Sequence, residues 1–340
     1  MKFTENFIFL ILVLGFGCNE KRITQYNIGL FFDKVHSIKL DTTFYEGIKS
    51  LDVDDNGRLL VTNEKRTDII LYNRDGIFQN KFSTIVDSLF PGFNWSPNRG
   101  FFLTDNNLFI SNNGPWGVSI SSDLTELNPL GRTYIAGSDL TFDESNNIYA
   151  FISNYLGIYI TKFDSNGDVI ISKFGNYPKK FANIIDKAII GNSLVYKNGS
   201  IFFKTIAEPK IYKYSLEGQL LDTFEHVPTY YRRPKRDIRT ETMQYMMADI
   251  RSFAEKYSAN FSIHALEKDK ILVQYSNYNY EYGLQILSVD GDNLLPHDLL
   301  VNYKVLATHD DMLYMIDAKS YHFDENYEPE IIIYRLKSNF

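Results

Sequence analysis

The sequence is poor in the residues that let a single motif declare a function. Cysteine occurs once, at Cys18, so no disulfide can form within the chain and stability has to come from burial. The six histidines (His36, His226, His264, His297, His309 and His322) show neither HxH nor HExxH spacing. There is no G-x-S-x-G, no catalytic thiol pattern and no phosphate-cradling glycine loop. No cofactor and no metal are therefore expected from motifs. Tryptophan occurs only at Trp95 and Trp116. Basic residues number 35 against 42 acidic ones, a net charge of −7, which argues against nucleic acid or an anionic membrane as the main partner. Long apolar runs are absent apart from Phe7 to Phe16, about ten residues and too short to span a bilayer.

That run sits in MKFTENFIFLILVLGFGCNEKR, after a basic Lys2, in the arrangement of a secretory signal. Its end, Leu14-Gly15-Phe16-Gly17-Cys18, resembles a bacterial lipobox, in which a small residue precedes a cysteine that is lipidated and becomes the mature N-terminus. Gly17 fits, while Gly15-Phe16 departs from the usual Leu-Ala/Ser-Gly/Ala. An ordinary signal peptide with an incidental cysteine is the alternative. The expectation is a signal over residues 1–17, lipid on Cys18, a tether over 18–28, and a place in the cell envelope, anchored to the outer membrane.

What is plentiful is aromatic residue, 24 Tyr and 26 Phe, the composition of a β-rich chain. The stretch DVDDNGRLLVTN (52–63) places Asp52, Asp54, Asn56 and Gly57 where an EF-hand calcium loop has ligands and its sharp turn. Position twelve is Asn63 rather than glutamate, and the flanks IKSLDV and RLLVTN read as strands, so a hairpin turned on Asp55-Asn56-Gly57 is the better reading. The same plan recurs: SLDVDDNGRLLVTNEKRTDIILYNRDGIFQNKF (50–82), DLTFDESNNIYAFISNYLGIYITKFDSNGDVIISKF (139–174) and SLVYKNGSIFFKTIAEPKIYKYSLEGQLLDTF (193–224). Weaker copies occupy 100–130, 261–295 and 303–336. Four short strands repeating about every 40 to 50 residues predict propeller blades.

The sixth unit holds three strands, whereas GLFFDKVHSIKL (29–40) is strand-like and has no blade of its own. A ring must close or leave a sheet edge exposed, so this segment is expected to be the outer strand of blade six. Units of the form I-x-x-D-x-x-G-x-I/L-Y/F/V-V, followed by a strand and x-x-x-G, resemble the NHL-type and TolB-like six-bladed β-propellers. The whole chain is similar to the six-bladed propeller lipoproteins of Gram-negative bacteria. The resemblance implies an all-β fold, a six-bladed β-propeller of four-stranded antiparallel blades over 29–340. It says little about function, since blade turns are scaffold.

Function is expected in the insertions. In residues 225–259, Met243, Met246, Met247, Ile250, Phe253, Ala254 and Tyr257 step by three and four, which predicts an amphipathic helix inserted between blades four and five (insertion 228–258). That stripe can pack on the rim or serve as a lid or docking element. Before it, Tyr230-Tyr231-Arg232-Arg233 opens the one basic cluster, a solvated loop or an anion-binding lip. Trp95 and Trp116 lie in Gly/Pro/Asn-rich loops and could bury in the rim or form a sugar platform. Asp52, Asp139 and His264 fall in first strands, which line a propeller's channel. The expected function is a monomeric, non-enzymatic envelope scaffold for a protein or glycan partner. The rivals are a channel hydrolase or lyase using a metal, lactonase-like, and a surface glycan binder.

Overall fold

The local chemistry of the turns explains why the repeats fold as they do. In the DVDDNG stretch one carboxylate oxygen of Asp54 accepts the backbone N–H groups of Asn56 (3.1 Å) and Arg58 (2.7 Å), and the other accepts Arg58 Nε at 2.7 Å. Gly57 takes φ +73°. The acid is spent closing a hairpin, not holding calcium. The same device, one side-chain oxygen taking the N–H groups two and four residues on, recurs at Asn73, Asp143, Ser215 and Ser288.

The computed structural model describes residues 24–25, 27–41, 48–63, 68–82, 97–103, 107–112, 117–121, 127–130, 139–154, 157–175, 194–204, 209–232, 258–277, 281–296, 298–318 and 330–338. Two strands, β1 (Thr24–Gln25) and β2 (Phe32–Lys39), precede the first blade. Blade one is β3 (Ile48–Val53), β4 (Leu59–Asn63), β5 (Ile69–Tyr72) and β6 (Phe78–Lys81). Blade two is β7 (Pro97–Phe102), β8 (Leu108–Asn112), β9 (Gly117–Ile120) and β10 (Leu127–Leu130). Blade three is β11 (Asp139–Phe142), β12 (Ile148–Asn154), β13 (Gly157–Phe163) and β14 (Ile170–Phe174). Blade four is β15 (Leu194–Lys197), β16 (Ser200–Lys204), β17 (Lys210–Ser215) and β18 (Leu220–Glu225). Blade five is β19 (Ala259–Leu266), β20 (Lys270–Ser276), β21 (Tyr282–Ser288) and β22 (Asp298–Val301). Blade six is β23 (Tyr303–His309), β24 (Met312–Asp317) and β25 (Glu330–Leu336), completed by β2.

The protein is thus an all-β, six-bladed propeller of four-stranded antiparallel blades. Closure follows the expected route: β2 pairs antiparallel with β25, from Phe32 opposite Leu336 to Lys39 opposite Glu330. One detail differs. Residues 24 and 25, expected in the tether, pair in parallel with Asp298 and Leu299 of β22, which adds a fifth strand to blade five. The chain is therefore stitched to two blades before blade one begins, and any free tether ends by Thr24. The helix expected in the insertion lies outside the described residues between 233 and 257.

Burial changes across each blade. The second and third strands of blade one, LLVTN and IILY, are buried at every residue because both faces meet a neighbouring blade. Outer strands such as β14 and β18 are largely exposed. Apolar side chains gather between consecutive blades: Leu60, Ile69 and Ile110 between one and two, Phe109 and Ile148 between two and three, Phe151 and Phe203 between three and four. Phe202 and Ile263 join four to five, Leu284 and Leu313 five to six, and Ile316 and Leu51 six to one, so the ring is packed all round. The glycines of the second turns help to lock it. Gly218 has φ +88°, and a Cβ there would come within 2.5 Å of Phe174 on the outer strand of the preceding blade. Gly76 meets Ile38 and Lys39 of blade six in the same way.

Candidate functional site

The six first strands face the ring axis and line an open cavity of about 150 Å³. Each contributes to its lining: Asp52 from β3, Arg99 from β7, Thr141 from β11, Val195 from β15, His264 from β19 and Thr308 from β23. Three of these side chains also tie inner strands together. Asp52 Oδ2 accepts the Phe102 N–H at 2.7 Å, Thr141 Oγ1 accepts the Tyr196 N–H at 3.0 Å, and the Thr308 hydroxyl donates to the Ala265 carbonyl at 2.6 Å.

Arg99 supplies the cation. Its Nη1 donates to Asp139 Oδ1 at 3.1 Å, with Asp139 only 1% exposed and Arg99 12%. The guanidinium lies over the Phe101 ring, 4.7 Å from its centroid, which restricts approach to the guanidinium edge. Its buried Nε–H has no acceptor among the described residues.

The two remaining ionisable groups are displaced in opposite senses by one cause. Enclosure by the inner strands pushes Asp52 up to about 6, against the lowering by the Phe102 N–H and the Arg99 charge. Desolvation also brings His264 down to about 3, helped by the Arg99 and Lys204 charges, so the imidazole is neutral at physiological pH. His264 Nε2 stands 3.0 Å from Ser262 Oγ, which is itself 3.5 Å from Gln274 Oε1. The Gln274 amide bridges to blade six through the Tyr303 carbonyl and the Val305 N–H. The cavity therefore holds a fixed cation, an acid able to exchange a proton near neutrality, and an uncharged imidazole.

Of the three inner-strand residues singled out in the sequence, Asp52 and His264 line this cavity and Asp139 braces Arg99. Arg99, Thr141 and Thr308 were not foreseen; their place in first strands is the signal that could have found them. The expected lip is corrected in one respect. Tyr231 is 9% exposed and packs edge-on against Tyr275, with centroids 5.5 Å apart, while Tyr230 lies over Gly283 so closely that a methyl group there would overlap its hydroxyl. Both rings fill the cleft between blades four and five instead of offering stacking faces, because burying an aromatic ring outweighs leaving it beside the charged run. Arg232 is exposed, and its backbone pairs with Ser258 in both directions at 3.0 Å, which pinches the base of the insertion. Cys18, Trp95, Trp116 and Arg233 lie outside the described residues. Among the described residues no group of three or more His, Cys, Asp and Glu is placed to hold a metal.

No family model and no curated protein matches the chain. Solved structures do match in fold. A Bacteroides fragilis protein named for its expected export aligns with a TM-score of 0.65 at 15% identity, over 93% of this chain and 99% of its own. A member of the DUF4221 family from Bacteroides vulgatus gives 0.58 at 12% identity, over 90% and 98%. A streptogramin B lyase gives 0.55 at 10% identity, over 91% and 89%. At these identities the likeness is one of fold.

Proposed function

We propose that this chain is an exported, envelope-anchored binding protein whose ring presents a small polar ligand site on its axis, without turnover. The observation that carries the reading is the convergence of Asp52, Arg99, Thr141, His264 and Thr308, from five different blades, on one cavity. A scaffold needs no buried cation and no strained acid there, whereas a binding site gains specificity from both. Lipid on Cys18 is the proposed anchor, supported by the lipobox-like ending and by the neighbour named for export. The outer membrane is the proposed location. A protein or glycan partner would engage the opposite end from the tight hairpin turns, since the strand ends flanking Trp95, Trp116 and Arg233 all lie at that end.

The test is a thermal-shift screen of small polar solutes on the mature chain and on Ala265→Leu, which fills the cavity lining. A ligand at 100 times its Kd stabilises by about 2.7 kcal/mol, roughly 5 °C for a domain of this size. Shifts that persist unchanged in a folded Ala265→Leu protein would place the ligand elsewhere. A second reading, a channel lyase or hydrolase, is favoured by one observation: the neutral His264 and the proton-exchanging Asp52 share the cavity. The lyase named among the neighbours supports it only as a precedent of fold. Turnover of cyclic esters by the purified protein, abolished in Asp52→Asn, would promote this reading over pure binding.

A further inference from the structure

We infer that the ligand of the axial cavity carries a carboxyl group, held by Arg99 and met by Asp52 in its protonated form, so that binding takes up one proton. The inference rests on the axial-site reading above and concerns the chemistry of its ligand.

The cavity lacks acceptors more than donors. Arg99 has one N–H on Asp139, its Nε–H is shut off from solvent, and Phe101 covers its face, so the terminal edge of the guanidinium is what a ligand can meet. A carboxylate is the group whose planar pair of oxygens suits that edge. Thr141 Oγ1 accepts from Tyr196 and keeps its own proton to donate. Thr308 has already given its proton to Ala265, and so adds no further donor.

The charges then decide the proton. Arg99 on β7 and Asp139 on β11 cancel, and His264 on β19 is neutral. His309 on β23 acts on Asp52 only through space, and Lys204 on β16 acts on His264. Among the described residues no cation stands at ion-pair distance from Asp52. An incoming carboxylate would face an ionised Asp52 as a like charge across a cavity walled by the inner strands, which is unfavourable. Protonated, Asp52 becomes a donor and the two carboxyl groups share one proton; the O–H bond forms on Asp52 and the proton comes from solvent. A volume of about 150 Å³ has room for a group of about six heavy atoms, and the cavity is open enough for a longer molecule to extend out of it. A short 2-hydroxy or 2-oxo acid fits, as does the carboxyl end of a longer molecule.

Isothermal titration of the mature chain tests this with formate, acetate, lactate and pyruvate as probes, and with lactamide as a neutral isostere. Each is titrated at pH 5.5, 6.5 and 7.5 in two buffers of different ionisation heat. At least one carboxylate is expected to bind, losing up to tenfold in affinity per pH unit above about 6, with about one proton taken up at pH 7.5. Asp52→Asn should bind that carboxylate with little pH dependence and no proton uptake, about thirtyfold more tightly than the parent at pH 7.5. Arg99→Lys, which keeps Asp139 neutralised, should weaken it at least tenfold. Carboxylate binding without proton uptake, or lost in a folded Asp52→Asn protein, overturns the inference. Silence from all four carboxylates overturns it too. If lactamide then binds and Ala265→Leu blocks it, the axial site stands and the carboxyl assignment falls. If neither class of probe responds to Ala265→Leu, the axial site itself is refuted.

Discussion

Replacing Asp52 by Asn should stabilise the protein, and the gain should depend on pH in a direction fixed by the site. Asp52 rises from an ordinary 3.8 to about 6 in the folded chain. An acid whose folded value is raised contributes most below its unfolded value, and that contribution is lost as pH climbs through the folded value. At about 1.36 kcal/mol per unit the whole rise is worth about 3 kcal/mol, of which about 2 kcal/mol is lost between pH 4 and 7, since the unfolded acid is already partly ionised at pH 4. Asparagine cannot ionise, yet its side-chain oxygen can still accept the Phe102 N–H that Asp52 Oδ2 takes at 2.7 Å. The stability of Asp52→Asn relative to the parent should therefore grow by about 2 kcal/mol from pH 4 to 7 and then level off. Urea unfolding of both proteins at each pH measures this, and taking the difference removes the titration of distant carboxylates. In melting temperature the effect is roughly 4 °C, at about 2 °C per kcal/mol for a domain of this size. A difference that stays flat, or shrinks as pH rises, would show that Asp52 is not desolvated and would refute the electrostatic account of the cavity.

Deleting residues 24–40 removes β1 and β2 and bares the edges of β22 and β25, so aggregation or a loss of cooperative unfolding is expected; a truncated chain melting within about 3 °C of the parent would remove their closing role. Gly218→Ala should cost clearly more than Gly199→Ala in urea unfolding. Both have positive φ, worth about 1–2 kcal/mol to any Cβ, but a Cβ at Gly218 meets Phe174 at 2.5 Å while one at Gly199 meets nothing within 4 Å. Equal losses would mean that the turn glycine does not lock neighbouring blades. Cys18→Ser should move the protein from the membrane fraction to the soluble one, or leave an uncleaved precursor; a processed variant that stays with membranes would disprove the lipid anchor.

The blades were legible because their turns are written in side chains. An Asp, Asn or Ser that closes a turn, followed by a glycine at positive φ, leaves a short pattern wherever it occurs. The closing strand was legible for a different reason, a count of strands that left blade six one short. β1 was not, since two residues carry no periodicity and their pairing depends on where blade five's outer edge happens to pass. Tyr230 and Tyr231 misled because they precede Arg232 and Arg233. A tyrosine beside charge reads as surface, but each ring can swing into a cleft while the backbone stays outside. Arg99 was missed because the second repeat was read from residue 100, with the Pro- and Asn-rich run before it taken as loop, whereas β7 begins at Pro97 and carries Arg99 to the axis, where the ion pair with Asp139 of the next blade becomes possible.

The ties between inner strands are not chemically equal. Thr141 and Thr308 each tie their strand to a neighbouring blade with a neutral hydroxyl, and neither adds a charge to be desolvated. Asp52 makes the equivalent tie to β7 through a carboxylate. A neutral side chain of similar reach, such as asparagine, could accept the same Phe102 N–H without being strained at neutral pH. Retaining an acid where a neutral acceptor would serve the ring costs stability at physiological pH and gives the ring nothing in return. Arg99 invites the same reasoning, because a buried ion pair is seldom more stabilising than apolar side chains of equal volume, and β7 already offers Phe101 on the same lining. Two costly choices made on adjacent blades and facing one cavity are more than closure of the ring requires, which is the ground on which we propose a ligand site on the axis.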